Sequence, residues 1–101
     1  RNFDGFRHTV EHSVYVHPEH QGKGLGRALL SRLIEEARAC GKHVMVAGIE
    51  SQNQASLHLH STLGFKTTAQ MPQVGTKFGR WLDLTFMQLQ LDDRRDPDAG
   101  R

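Results

Sequence analysis

Gln21-Gly22-Lys23-Gly24-Leu25-Gly26-Arg27 stands between a strand-like run, Val10 to His17, and a helix-like run, Leu25 to Cys40. Three glycines at alternate positions leave a line of backbone N–H groups that no side chain shields. The line opens a helix, whose first N–H groups lack intrahelical partners and carry the positive end of the dipole. Such a place holds a phosphate or pyrophosphate. A strand, an anion-binding loop and a helix in that order predict an α/β fold around a phosphate-bearing ligand.

Working outward, Val10, His12, Val14 and Val16 alternate with Glu11, Ser13, Tyr15 and His17, a period-2 strand with a valine face. Pro18 ends it. Beyond the loop, Leu25, Leu29, Leu33 and Ala37 recur every four residues, flanked by Leu30 and Ile34, which predicts an amphipathic helix stopped by Gly41. Val44 to Ile49 is a continuous apolar run, as in a strand buried on both faces. Ser51 or Asn53 can cap a second helix carrying Ala55, Leu59 and Leu63, ended by Gly64. Phe65 to about Gln70 reads as a strand. Met71 to Gly79, with Pro72, Gly75 and Gly79, reads as a loop. Leu82, Leu84, Phe86, Leu89 and Leu91 predict a last strand with a slip near Met87. The order is β-α-β-α-β-β over residues 1–91, followed by a charged tail, 92–101, expected to be disordered.

The 101 residues make one small domain. Thirteen basic and eleven acidic residues, net +2, are interspersed. No basic patch interleaved with aromatics marks nucleic-acid binding. No apolar run is long enough for a membrane helix, and no secretory leader is evident. The single cysteine, Cys40, at a helix end, reads as structural and fits a reducing compartment, so the expected location is the cytoplasm. Seven histidines raise the question of a metal. His58 and His60 are two apart on a helix, about 200° round its axis, and cannot share one ion. No three histidines stand with a carboxylate at ligand spacing, so no metal is expected.

The loop excludes two ligands. Gly24 follows Lys23 where a nucleoside triphosphate loop needs Ser or Thr after its Lys, and Arg27 stands where a dinucleotide fingerprint needs its third glycine. A bare turn would not use three glycines before a helix, since each weakens folding through chain entropy.

Three blocks of residues then resemble one family. Gln21, Gly24 and Gly26, following Val14-Tyr15-Val16 and preceding a Leu-rich helix, are similar to the acetyl-CoA loop of the GNAT N-acetyltransferases. Asn53, Ser56, Leu59, His60 and Leu63-Gly64-Phe65 resemble the family's Asn-x-x-Ala-x-x-Leu-Tyr-x-x-x-Gly-Phe helix, with Ser56 for Ala and His60 for Tyr. Thr9 to Val16 and Gly75 to Asp83 resemble its phosphinothricin and methionine sulfone acetyltransferase branch.

The resemblance implies a GNAT fold, a mixed β-sheet flanked by helices, of which this chain holds the C-terminal, cofactor-binding part. It implies that the N-terminal part of the family domain is missing; a polypeptide this short is then expected to catalyse weakly or not at all and to pair through an open strand edge. It implies transfer of acetyl from acetyl-CoA to the α-amine of a small amino-acid-like substrate, by direct attack in a ternary complex. The alternatives are another small amine, or a non-catalytic CoA-binding or dimerisation module. The cofactor residues it implies are Val14, Tyr15, Val16, Gln21, Gly22, Lys23, Gly24, Leu25, Gly26, Arg27 and Asn53. Glu11 is the candidate base for the ammonium, because an amine cannot attack until it loses a proton. His60 replaces the family's Tyr beside the departing thiolate, and an imidazole can act there as acid or base. The N–H of Val16 is the candidate oxyanion donor. Asp4, Gly5, Phe6 and Arg7 would border the substrate, with Arg7 a partner for its carboxylate. Phe78 and Trp81 are expected at a homodimer contact, or in the pocket wall.

Overall fold

The computed structural model describes residues 6–13 and 25–98, with the backbone alone at Ser13 and Leu25. Its elements are β1 (Thr9–Ser13), α1 (Leu25–Ala39), β2 (Val44–Glu50), α2 (Gln54–Thr62), β3 (Lys66–Lys77) and β4 (Arg80–Gln90). They form one mixed sheet in the order β1-β2-β4-β3. β1 and β2 are parallel; β4 runs antiparallel to both of its neighbours. The predicted α/β class and element order hold.

Both helices cover one face of this sheet. The buried cluster joins Leu30, Ile34 and Ala37 of α1 to Met45, Ala47 and Ile49 of β2 and Met87 and Leu89 of β4, with Leu57, Leu59 and Leu63 packed against it from the second helical region. β2 alternates buried and half-buried along its whole length, because each second side chain meets the helices and the rest meet the opposite face. Fully burying a side chain such as Ile49 contributes about 1.5–3 kcal/mol.

The stripe on α1 differs from the one expected. Leu29 is 57% and Leu33 42% exposed, while Leu30, Ile34 and Ala37 are buried. Every-fourth spacing drifts about 40° per step round a helix of 3.6 residues per turn, so Leu29 and Leu33 lie off the core. The set i, i+4, i+7 that begins at Leu30 follows the axis and stays on it.

Met71 to Gly79 is mostly strand. β3 runs on to Lys77, and its pairing with β4 skips from Met71↔Leu84 to Gly75↔Leu82. The bulge takes up Pro72 and Gln73 (φ 55°), whose N–H donates to Asp83 Oδ1 at 2.9 Å. Since β3 is an edge strand, Pro72 deprives no neighbour of a ladder bond. Phe78 (φ 50°) and Gly79 (φ 74°) form the two-residue turn to β4. β4 pairs with β2 without a slip from Leu84 to Gln90. The change of apolar phase near Met87 arises because Leu84 and Phe86 face the open side while Thr85, Met87 and Leu89 face the helices.

Asn53, not Ser51, caps α2, its side chain accepting from Ser56 N at 3.1 Å. Ser51 instead bonds Thr85 Oγ1 at 2.7 Å. Past β4, His43 Nδ1 lies 2.6 Å from Asp92 Oδ1, Arg94 pairs with the same carboxylate at 2.9 Å, and Arg7 pairs with Asp98 at 2.9 Å. Those contacts hold the stretch after Leu91 against the start of the sheet. His43 lowers the Asp92 carboxyl below its ordinary range by hydrogen bonding to the charged form.

Gly64 closes α2 at φ +99°, and a Cβ there would lie 3.3 Å from Leu89 Cδ1; Gly79, at φ +74°, has open space. The left-handed region costs a side-chain-bearing residue about 1–2 kcal/mol. Gly79→Ala should lose about that much in urea unfolding, and Gly64→Ala distinctly more. Equal losses would mean that Leu89 does not confine the end of α2.

Candidate functional site

The alternation of β1 sets the site. Its register against β2 pairs Val10 with Met45, Glu11 with Val46 and His12 with Ala47. Met45 and Ala47 face the helices, so Val10 and His12 do too, and Glu11 faces the opposite side. There a groove of about 760 Å³ is lined by Phe6, Glu11, Lys42, Val46, Phe86 and Gln88, among others. Lys42 Nζ donates to Arg7 O at 2.7 Å across its rim.

On the helix face His60 is buried, 1% exposed. Its Nδ1 is 2.7 Å from the Ser56 carbonyl one turn earlier, and its Nε2 is 3.1 Å from His12 Nε2. Phe65 meets the His60 ring edge-on, centroids 4.9 Å apart. Burial disfavours the charged form of both imidazoles and pushes both below the ordinary histidine value. The charge of His60 depresses His12 further, and the Ser56 carbonyl opposes the shift of His60.

Glu11 and His60, the two residues expected to carry the chemistry, therefore lie on opposite faces of the sheet, about its β1 edge. Pairing of β1 with β2 is described as far as Ser13↔Gly48, and β2 continues to Glu50. The residue that sequence reasoning missed is His12. Its signal was present: it is the polar member of an otherwise valine face, Val10-His12-Val14-Val16.

The cofactor residues are only partly described. Val14, Tyr15, Val16, Gln21, Gly22, Lys23 and Gly24 lie outside the described residues, as do Asp4 and Gly5; Leu25, Gly26 and Arg27, the end of the glycine loop, belong to the first turn of α1. α1 starts at Leu25 with no acidic residue in its first turn, so no carboxylate there offsets the positive end of its dipole. Arg27 donates to Thr62 Oγ1 at 3.0 Å, clipping α1 to α2. A Cβ on Gly26 would meet Leu59 at an ordinary 3.6 Å, so that position is not one only glycine fits. Asn53 points its oxygen back into its own helix. Phe6 is exposed at the groove, and the guanidinium of Arg7 is engaged by Asp98. Phe78 and Trp81, 90% and 65% exposed, stand at the β3–β4 turn, away from the groove lining. Among the described residues no cluster of three metal-ligating side chains occurs, and no helix is long and apolar enough to cross a membrane.

Comparison with known proteins gives the site its context. Residues 1–65 match the model of the acetyltransferase (GNAT) family. The chain is 88% identical over 99 residues to the L-amino acid N-acyltransferase MnaT of Escherichia coli and 82% identical over 99 residues to the L-methionine sulfoximine/L-methionine sulfone acetyltransferase of Salmonella typhimurium, covering 98% of this chain and 58% of each relative. It is 41% identical over 88 residues to the phosphinothricin N-acetyltransferase of Alcaligenes faecalis, covering 86% of this chain and 45% of that one. An acetyltransferase from Salmonella typhimurium solved with acetyl-CoA superposes with a TM-score of 0.90 at 82% identity, over 98% of this chain and 57% of that one. The chain thus spans a little over half the length of these two curated relatives from Escherichia coli and Salmonella typhimurium.

The depressed imidazoles set a pH dependence of stability. Unfolded histidine titrates near 6.5. Between that value and the lower folded values the unfolded chain binds more protons, so stability is full above pH about 6.5 and falls as the solution is acidified. Urea midpoints should drop between pH 7 and 5. The drop should be shallower in His60→Gln, which removes one of the two groups. An identical slope would show that the pair titrates normally in the fold.

Proposed function

Because the chain belongs to the GNAT acetyltransferase family, we propose that it transfers the acetyl group of acetyl-CoA to the α-amine of a small amino-acid-like substrate. Methionine sulfone, methionine sulfoximine and phosphinothricin are the type. The observation that carries this reading is the 82% identity to the Salmonella relative that acts on the first two. The groove at Glu11 and the buried His60 behind the same strand support it. In this reading Glu11, open to the groove, takes the proton of the arriving ammonium, directly or through water. The free amine attacks the thioester carbonyl; the N–C bond forms and the C–S bond breaks. Backbone amides at the start of α1 hold the pyrophosphate of acetyl-CoA, with the preceding glycine loop, and the Val16 N–H receives the carbonyl oxygen. In this reading Asn53, the cap of α2, also contacts the cofactor. His60 serves the departing thiolate.

The protein works in the cytoplasm as a homodimer in this proposal. Phe78 and Trp81 are the groups it places at the dimer contact, since large exposed aromatics at a hairpin tip suit an interface. Sedimentation should find a dimer in the full polypeptide, and Trp81→Ala should shift it toward monomer. A wild-type monomer would refute the dimer alone.

Thioester cleavage with a panel of amines tests the activity. Turnover on methionine sulfone and none on lysine peptides is the expected result. Tight acetyl-CoA binding without turnover on any amine would favour a binding module instead. Glu11→Gln should lower kcat by about 10²–10⁴-fold and flatten the acid limb of the pH profile. An unchanged profile would remove Glu11 as the base.

A further inference from the structure

The hydrogen-bond directions in the histidine pair are forced by what each atom can do. The Ser56 carbonyl only accepts, so at 2.7 Å His60 Nδ1 must carry a proton. In the neutral ring this leaves the lone pair on Nε2. His12 Nε2, 3.1 Å away, must then be the donor. The lone pair of a neutral His12 is therefore on its Nδ1. The ring centroids are 5.4 Å apart with planes inclined by 20°. The 3.1 Å gap plus one ring radius on either side accounts for that whole distance. The rings meet edge to edge, in line for proton transfer, rather than face over face. The basic nitrogen of the unit is thus on His12, while the lone pair of His60 is already engaged.

A proton that arrives has a preferred resting place. His60 lies in the last turn of α2, where the helix dipole favours a cation, and the Ser56 carbonyl accepts from its Nδ1. β1 offers His12 no such helix end. Two charges this close in a buried site exclude each other, so the unit holds one proton. Among the described residues, Ser56 and Phe65 are the groups against the pair, and no carboxylate or ammonium hydrogen-bonds to either ring. Glu11, the adjacent charged residue, is on the other face of the sheet. Burial keeps both rings neutral near pH 7 and so ready to accept.

We propose that His12 is a second proton-handling residue of the acetyl transfer, and that His12 and His60 form a two-imidazole relay whose entrance is His12 Nδ1 and whose charge rests on His60. The proposal deepens the acetyltransferase reading and rests on it. As the N–C bond forms, the nitrogen of the attacking amine gives up its second proton. His12 Nδ1–H forms, His12 Nε2–H breaks and His60 Nε2–H forms. When the C–S bond breaks, the relay runs backward and the proton passes from His12 Nδ1 to the thiolate sulfur. Both rings end in the tautomers in which they began, and the first ammonium proton, which Glu11 on the opposite face takes through water rather than by direct contact, leaves to solvent.

Two measurements on the full chain test this. Imidazole nitrogen–proton correlation spectra above neutral pH should find His12 protonated on Nε2 and His60 on Nδ1, with the pair taking up one proton in a single step on acidification. A His12 protonated on Nδ1, or two independent titrations, overturns the relay. In kinetics, His12→Gln keeps an amide donor for His60 Nε2 but cannot accept a proton. It should fold normally and bind acetyl-CoA as wild type, yet lose about 10²-fold in kcat and the pH limb that belongs to the pair. Wild-type kcat and pH profile in His12→Gln would reduce His12 to packing and overturn the proposal; His12→Phe, which lacks the donor, should lose at least as much. If wild type acetylates no amine, the acetyltransferase reading has failed, and the tautomer spectrum alone decides whether His12 is the entrance of the pair.

Discussion

The register of β2 is the constraint on which the rest of the structure depends. β2 is bonded on both sides, parallel to β1 and antiparallel to β4. Its inward residues, Met45, Ala47 and Ile49, are almost wholly buried beneath both helices. A slip of one residue would turn Val44, Val46 and Gly48 inward and drive Glu50 toward the core. The energetic penalty would fall on every contact of α1 and α2 at once. Because β1 takes its register from β2, the same constraint decides that His12 faces inward and Glu11 outward.

What the sequence disclosed follows from how local each signal is. The continuous apolar run at Val44 to Ile49 read as a strand buried on both faces; it is a strand, buried on the helix face but only half-buried on the other, where Val44 and Val46 line the groove, and Gly64 could only be a stop once a helix preceded it. The cap at Asn53 was one of two choices, and the neighbour that decided it is distant in sequence: Thr85 takes the Ser51 hydroxyl. Local reading failed where tertiary partners overrode composition. Pro72, Gly75 and Gly79 together suggested a loop, yet the long partner strand β4 extends β3 through a bulge that absorbs Pro72. Leu29 and Leu33 looked like core because leucine carries no label of the face it serves.

The site was legible in the same uneven way. Glu11 and His60 were singled out from the residues around them. His12 was passed over because a histidine on an apolar strand reads as filler until its partner, 48 residues on, is seen. A buried imidazole loses hydration and is tolerated only where its nitrogens are bonded. Here each ring solves the other's problem at Nε2, and Ser56 completes His60. The pair is thus a polar network inside an apolar face, which specifies one packing of α2 on β1 more sharply than leucines would.

Consecutive residues of one strand thereby occupy two different media. Glu11 lines a groove open to water. His12 lies against the core, where charge is costly and a proton is held in a single shared place. An acyl transfer to an ammonium needs both. One proton must leave for solvent before attack, and one must be kept out of solvent until the thiolate departs. A helix could not provide this with adjacent residues, since neighbours there differ by only 100° and share much of their surroundings. The two-residue period of β1 separates them by the full thickness of the sheet while leaving their backbones one peptide apart.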